Sequence, residues 1–215
     1  MDLYLVYLKL RMHMRRLSQL PATVHLIVLN VIIFVIECIT SMSVIYIRVN
    51  WFVRLFALSN YYVLVKGWIW QLLTSMFLHF GILHLFFNMF FLFILGIRLE
   101  KLIGRRRFLL LYIVAGVVGN LFTLLWGPYA PIISAGASGA IFGVFGALVI
   151  LSVGYSYATT VQALMWAFLI FLINSIMPGV NILAHLGGLL TGLLYGYHAR
   201  KRFIRPVVIA YHYYY

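Results

Sequence analysis

Acidic residues are almost absent from this chain: Asp2, Glu37 and Glu100 are the only three among 215 residues. An intramembrane aspartyl protease needs two buried aspartates, and a zinc protease of the HExxH type needs glutamate beside paired histidines. Both classes are therefore excluded. A Ser-His-Asp triad would have to take Glu37 or Glu100 as its acid. Cys38 is the only cysteine, so the chain cannot form an internal disulfide.

Charge of either sign is scarce, because charged residues make up 9% of the chain while 65% of it is hydrophobic. Soluble domains usually carry about 25% charged residues, so this chain could not cover a water-soluble globule with polar groups. Disorder is excluded as well, because the apolar and aromatic content is too high. The composition indicates an integral membrane protein.

The net charge of +13 could suggest a nucleic-acid partner. The basic residues, however, are concentrated in three clusters, at 9–16, 98–107 and 200–205, which flank apolar segments. This distribution is typical of the positive-inside rule for membrane topology. We therefore expect the lipid bilayer, and no nucleic acid, as the surrounding partner.

Six apolar segments of near-membrane length predict an all-α polytopic membrane protein. Their approximate bounds are 22–46, 82–97, 108–126, 138–153, 160–176 and 181–199. An even number of spans places all three basic clusters in the cytoplasm. We expect a cytoplasmic segment 1–21, a membrane domain 22–199 and a basic, aromatic cytoplasmic tail 200–215, in the plasma membrane. The first span is typical of a retained anchor rather than a cleaved signal peptide.

The first outer loop, residues 47–80, is rich in aromatic residues. They are Trp51, Phe52, Phe56, Tyr61, Tyr62, Trp68 and Trp70. Amphipathic aromatic rings favour the membrane interface, so the loop either lies on or in the outer leaflet or forms an ordinary aromatic belt.

Polar residues in three spans fall at one membrane depth. His84, Ser138 and His185 lie 14, 14 and 15 residues before the inner ends of their spans. At the rise of an α-helix this is roughly 21–23 Å. Asn88 shares the helix face of His84, one turn deeper. We therefore expect these four side chains in a common layer below the outer surface.

Small residues recur in the fourth and sixth spans. They are Gly136, Gly139, Gly143 and Gly146 in the fourth, and Ala184, Gly188, Gly192 and Gly196 in the sixth. Such spacing lets two helix backbones approach closely, although it is also general in membrane packing. Close contact would bring Ser138 and His185 within hydrogen-bond reach. Gly136 and Gly139 would let backbone approach a substrate carbonyl.

These residue types fit nucleophilic catalysis. Ser138 needs a general base to attack a carbonyl near neutral pH, and His185 is the candidate base. The candidate oxyanion donors are His84, Asn88 and backbone N–H groups at the start of the fourth helix. Ser75 and Ser134 lack this context, so their replacement by alanine is expected to leave activity intact.

Three strings resemble the rhomboid family of intramembrane serine proteases: GASGAIFG from Gly136, HLFFN from His84 and AHLGG from Ala184. They resemble the family's nucleophile motif, its HxxxN motif in the second span and its base-bearing sixth span. His79 resembles a further histidine before HxxxN, and Glu100 with Gly104 resembles a Glu-x-x-x-Gly feature. The resemblance covers about residues 68–199.

The resemblance implies a six-helix rhomboid-like bundle and a serine endopeptidase that needs no metal or cofactor. Its catalytic pair would be Ser138 and His185 without an acid, and its oxyanion site His84, Asn88 and the Ser138 backbone N–H. Substrates would be transmembrane segments of membrane proteins, cut near their outer ends and admitted by movement of the fifth span and the loop after it. Two positions depart from the family. Gln71 follows Trp70 where Arg is common, and Phe142 replaces a tyrosine that stacks on the base.

The sequence leaves three alternative functions open. One is a catalytically inactive rhomboid-like binding module. Another is a small transporter that uses Glu37 for protons, although a hydrogen-bonded or protonated structural role fits Glu37 better. The third is a metal site of His79, His84 and His185. It is disfavoured because His79 and His84 do not share a helix face and no thiolate or carboxylate joins them.

Overall fold

The computed structural model describes residues 19–152 and 181–203, together with Gln162, Trp166 and Leu169. The helices are α1 (Ala22–Ser41), α2 (Trp51–Phe56), α3 (Asn60–Leu64), α4 (Gln71–Thr74), α5 (Ile82–Ile103), α6 (Arg105–Thr123), α7 (Ser138–Ser152) and α8 (Ile182–Phe203). Helix α5 contains a π-helical stretch at Leu92–Gly96. Two short strands, β1 (Leu58–Ser59) and β2 (Ile133–Ser134), pair in antiparallel fashion.

The helical membrane architecture predicted from the sequence is confirmed. In the part of the chain that the structure describes, three helices are long and apolar enough to cross a membrane: Ala22–Ser41, Ile82–Ile103 and Arg105–Trp126. The helix Ser138–Ser152 is apolar but shorter. The predicted fifth span, 160–176, lies outside the described residues except for Gln162, Trp166 and Leu169. Segments 1–18 and 204–215 lie outside them too.

The C-terminal ends of α1 and α5 differ most from the predicted spans. Helix α1 ends at Ser41 rather than near residue 46, because Met42 adopts a left-handed conformation (φ 51°) and its N–H bonds the carbonyl of Cys38. Helix α5 continues past residue 97 to Ile103 and includes charged residues. Hydropathy alone misses this extension, because Arg98, Glu100 and Lys101 lower the mean hydropathy of the segment. At least one of these charged residues has a structural role.

That role belongs to Glu100, which is buried beside the start of α1. Its Oε1 accepts the N–H of Ala22 at 2.7 Å, and its Oε2 accepts the N–H and hydroxyl of Thr23 at 2.9 and 2.8 Å. The first N–H groups of a helix have no partner within it, and a carboxylate there also complements the helix dipole. Glu100 therefore ties the C-terminal end of α5 to the N-terminal end of α1.

Helix α7 lies at the centre of the bundle. Ten of its fifteen residues are buried, and it is apolar on every side, as expected for a helix enclosed by other helices. A Cβ on Gly143 would collide with the Ala115 side chain of α6. A Cβ on Gly192 of α8 would collide with the Gly143 carbonyl. The backbone contact that the glycine spacing predicts is present, and α6 joins it as a third helix.

Candidate active site

A cavity of about 510 Å³ opens where α5, α7 and α8 meet. Its wall includes His84, Ser138 and His185, the three residues that the sequence places at one depth. The segment after α1 adds Ile45, Tyr46, Ile47 and Val49 to the wall, and the segment around β2 adds Ile133, Ser134, Ala135 and Gly136. Apolar residues make up most of the lining, and Asn120, Ser134 and Asn181 add polar side chains to those of His84, Ser138 and His185.

Ser138 and His185 are in direct contact on this wall. The Oγ of Ser138 lies 2.8 Å from Nε2 of His185, which is hydrogen-bond distance. Ser138 is the first residue of α7 and is partly exposed to the cavity, whereas His185 is 3% exposed. The close approach of α7 and α8 makes this contact possible, since a Cβ on Gly188 would collide with the Gly139 carbonyl.

The ring of Phe142 packs on the imidazole of His185. Their centroids are 4.4 Å apart and the two planes differ by 21°. Phe142 lies one helical turn after Ser138, so the turn that presents the hydroxyl also holds the base. This stacking restricts the orientation of the imidazole, and it needs no hydroxyl on the stacking ring.

His84 faces the cavity from the first turn of α5. Its Nδ1 accepts the N–H of Phe80 at 3.3 Å, which leaves Nε2 to carry the proton. Nε2 points towards Gly136, where a Cβ would lie 2.8 Å from it and 3.8 Å from Ser138 Oγ. Gly136 has a φ of +129°, a backbone conformation that residues with a side chain rarely adopt. A glycine therefore keeps the space between His84 and Ser138 open.

Asn88 is placed differently from His84. It is 4% exposed and is not among the residues that line the cavity. Its Nδ2 donates to the His84 carbonyl at 2.8 Å. In this arrangement Asn88 supports the helix turn that carries His84, and one of its two amide hydrogens is engaged there.

His79 lies completely buried behind His84, with ring centroids 5.0 Å apart in an edge-to-face contact. Its backbone N–H donates to Glu37 Oε2 at 2.9 Å. Burial lowers the pKa of His79 well below its usual range, and His84 adds to this effect. Its ring packs against the ring of His84.

A family profile described as the rhomboid domain matches residues 66–202, which is more than half of the chain. That range holds every candidate catalytic residue described above. The chain belongs to the rhomboid family.

Three relatives illustrate the family. RHOMBOID-like protein 6, mitochondrial, from Arabidopsis thaliana is 41% identical over 133 residues, which are 60% of this chain and 43% of the relative. Rhomboid protease GluP from Bacillus subtilis (strain 168) is 46% identical over 86 residues, 40% of this chain and 16% of the relative. Inactive RHOMBOID-like protein 8 from Arabidopsis thaliana is 37% identical over 128 residues, 57% of this chain and 36% of the relative. The matched segment thus spans less than half of each of these proteins.

The cavity wall of this rhomboid also includes Asn181, which the sequence did not single out. Asn181 precedes α8, and its Oδ1 accepts the N–H of Ala184 at 3.0 Å, as a helix cap does. Its Nδ2 donates to Thr123 Oγ1 at 2.6 Å and to Ser134 Oγ at 2.7 Å. An asparagine just ahead of an apolar helix is the signal that could have marked the cap. Its two long-range partners leave no sequence signal.

Gln71 stands where the rhomboid family often has arginine, and it is completely buried. Its Nε2 donates to the carbonyls of Arg54 and Leu55 at 2.9 and 3.3 Å. Its Oε1 accepts the N–H of Ser59 at 3.0 Å. A guanidinium could replace the donors but not the acceptor, because arginine has none. In this rhomboid an amide therefore holds α4 against residues 54–59.

Proposed function

We propose that this rhomboid is an intramembrane serine endopeptidase that cleaves transmembrane segments of other membrane proteins. The observation that carries the proposal is the 2.8 Å contact between Ser138 Oγ and His185 Nε2 on the wall of the cavity. A serine with a hydrogen-bonded histidine is the minimal activated nucleophile of acyl transfer. No acid is required, and both described acids, Glu37 and Glu100, are bonded to backbone elsewhere.

In the proposed mechanism Ser138 Oγ attacks the carbonyl carbon of the scissile bond while His185 Nε2 accepts the hydroxyl proton. The oxyanion is stabilised by Nε2–H of His84 and by the backbone N–H of Ser138, which begins α7 and has no partner within the helix. His185 then gives its proton to the leaving amine. Water, activated by the same histidine, releases the acyl group from Ser138.

We further propose six spans with both termini in the cytoplasm and a plasma-membrane location. With α1 starting in the cytoplasm, the first turns of α5 and α7 lie towards the outer side, and so does the cavity. A substrate segment would then be cut near its outer end, where a helix is most easily unwound.

A catalytically inactive rhomboid is the second candidate, because one of the relatives is named inactive. Ser138, His185 and His84 are all present and converge on one cavity here. An inactive binding module would not require a contact between serine and histidine. The endopeptidase therefore accounts for more of the geometry.

The test is cleavage of a model transmembrane substrate by purified protein in liposomes. Wild type should cleave it, and Ser138→Ala and His185→Ala should each lose nearly all activity. Ser41→Ala is the matched control, because Ser41 ends α1 and its Oγ bonds the Ser43 carbonyl, away from the cavity. Cleavage by Ser138→Ala at the wild-type rate would refute the proposal. A well-folded wild type that cleaves none of a panel of substrates would favour the inactive module.

A further inference from the structure

Glu37 is a completely buried carboxyl that the proposed mechanism does not use. It lies in the last turns of α1, where its Oε2 accepts the backbone N–H of His79 at 2.9 Å. Its Oε1 has no hydrogen-bond partner among the described residues. A buried polar atom without a partner destabilises a fold. Stability of α1 alone therefore does not explain a carboxyl at this position.

The hydrogen bond from His79 fixes the chain just before α5. The next N–H, that of Phe80, donates to Nδ1 of His84 at 3.3 Å. The Phe80 carbonyl, in the following peptide unit, accepts the N–H of Ile47 at 3.1 Å, which adds a second hydrogen bond to the same short segment. Hydrogen bonds to Glu37 and Ile47 thus hold the 79–80 segment on either side of the Phe80 N–H that contacts His84.

This segment determines which nitrogen of His84 carries the proton. A neutral imidazole has one donor and one acceptor nitrogen, and the partner of one nitrogen sets the other. Because Nδ1 accepts from Phe80, the proton resides on Nε2, the nitrogen that faces Gly136 and Ser138. If the Phe80 amide turned away, Nδ1 could take the proton and Nε2 would face the cavity as an acceptor. An acceptor there would repel an oxyanion.

We infer that Glu37 is a positioning residue, which holds the 79–80 segment so that His84 presents a proton to the oxyanion. The inference rests on the proposed function and extends the catalytic site to the first span. Glu37 acts through backbone, and it does not touch the reacting atoms. Its contribution therefore depends on His84 being present.

A double-mutant cycle tests this dependence. Glu37→Met keeps the length of the side chain but removes the carboxylate acceptor, and it should lower kcat about tenfold or more with little change in KM. The loss should stay below that of His84→Ala, since removing one oxyanion donor costs about 10²–10³-fold. In the His84→Ala background, Glu37→Met should cost less than about a further twofold. Glu37→Gln retains an acceptor oxygen and should stay within about threefold of wild type.

The control is Asn30→Leu, which removes another buried polar side chain of α1. Asn30 lies seven residues before Glu37, about 10 Å along the helix, and its Nδ2 donates to the carbonyl of Leu26, away from the 79–80 segment. This variant should change the melting temperature without changing kcat selectively. Imidazole ¹⁵N shifts of His84 provide a readout independent of activity. Wild type and Glu37→Gln should show the Nε2–H tautomer, and Glu37→Met should show a mixture.

Two outcomes would overturn the inference: wild-type kcat in Glu37→Met, or a full multiplicative loss in the His84→Ala background. If Glu37→Met does not fold, the comparison moves to Glu37→Gln, where a kcat as low as that of His84→Ala would refute the acceptor role. Failure of the proposed function is separate. In that case wild type and Ser138→Ala would be equally inactive, and the ¹⁵N tautomer of His84 would still test whether Glu37 controls the ring.

Discussion

Asn181 donates a 2.7 Å hydrogen bond to Ser134, and each residue lies four positions ahead of one member of the candidate catalytic pair. Asn181 precedes His185, and Ser134 precedes Ser138. The bond therefore joins the segments that lead into α8 and α7 just before the two helices bring His185 and Ser138 together. This hydrogen bond links the two helices on the N-terminal side of the catalytic pair, whereas the glycine contacts lie farther along both helices.

The hydrogen bond between Asn181 and Ser134 leads to a prediction for Asn181→Ala. This change removes the cap on α8 and both side-chain bonds, so the first turn of α8 should loosen. Loss of a buried hydrogen bond costs about 1–3 kcal/mol, and a 1 Å error in a catalytic geometry can cost about 10²-fold in rate. We expect cleavage to fall about tenfold to 100-fold, with a lower melting temperature in detergent.

Ser134→Ala should have a smaller effect in the same direction, which differs from the neutral effect expected from the sequence. Thr123→Val is the matched control, because it removes the other hydroxyl that Asn181 contacts without touching the cavity segment. Adding Ser134→Ala to Asn181→Ala should cost little more, since the bond is already broken. Full activity in Asn181→Ala would show that the hydrogen bond between Asn181 and Ser134 is not needed to position Ser138 and His185.

The glycine contacts between α7 and α8 give a second prediction. Even alanine at position 192 places a Cβ against the Gly143 carbonyl, so the helices must separate. Overpacking of this kind costs about 1–3 kcal/mol, and we expect Gly192→Ala to lower both the melting temperature and cleavage, the latter about tenfold or more. Leu194→Ala is the control on the same helix, because Leu194 is 61% exposed. The idea fails if Gly192→Ala melts lower but cleaves at the wild-type rate.

The proposed oxyanion site gives a third prediction, in which the structure ranks two residues that the sequence treats alike. His84 lines the cavity with Nε2, whereas the Nδ2 of Asn88 is bonded to the His84 carbonyl. His84→Ala should therefore lower kcat by about 10²–10³-fold. Asn88→Ala should cost clearly less, because it acts through the turn of α5. Steady-state kinetics of the two variants, measured side by side, decide the order. An equal or larger loss in Asn88→Ala would place Asn88 in the oxyanion site itself.

Much of the fold could be predicted because membrane spans have a strong signal in composition and length. The depth of His84, Ser138 and His185 follows from counting residues along helices of fixed rise. The packing of α7 on α8 follows from glycine spacing, because close backbone contact leaves room for no side chain. These features are local in sequence or follow from regular helix geometry, so they can be predicted without knowing which distant segments come into contact.

The features that could not be predicted depend on contacts between distant segments. Glu100 bonds the start of α1, 77 and 78 residues away, and Glu37 bonds the amide of His79, 42 residues away. A sequence shows that a buried acid needs partners, but it does not show which backbone amide will reach it. The same holds for Asn181, whose partners Thr123 and Ser134 lie 58 and 47 residues away. The early end of α1 depends on the left-handed conformation of Met42. Glycine or asparagine usually marks such a position, and methionine does not.

The most direct test of the central claim is whether Ser138 is an activated nucleophile. Purified protein in detergent would be treated with a fluorophosphonate probe, and the labelled peptide would be identified by mass spectrometry. We predict labelling of wild type at Ser138, none in Ser138→Ala, and strongly reduced labelling in His185→Ala, while Ser41→Ala labels as wild type. Absence of label on folded wild-type protein, or equal labelling of Ser138→Ala, would contradict the account.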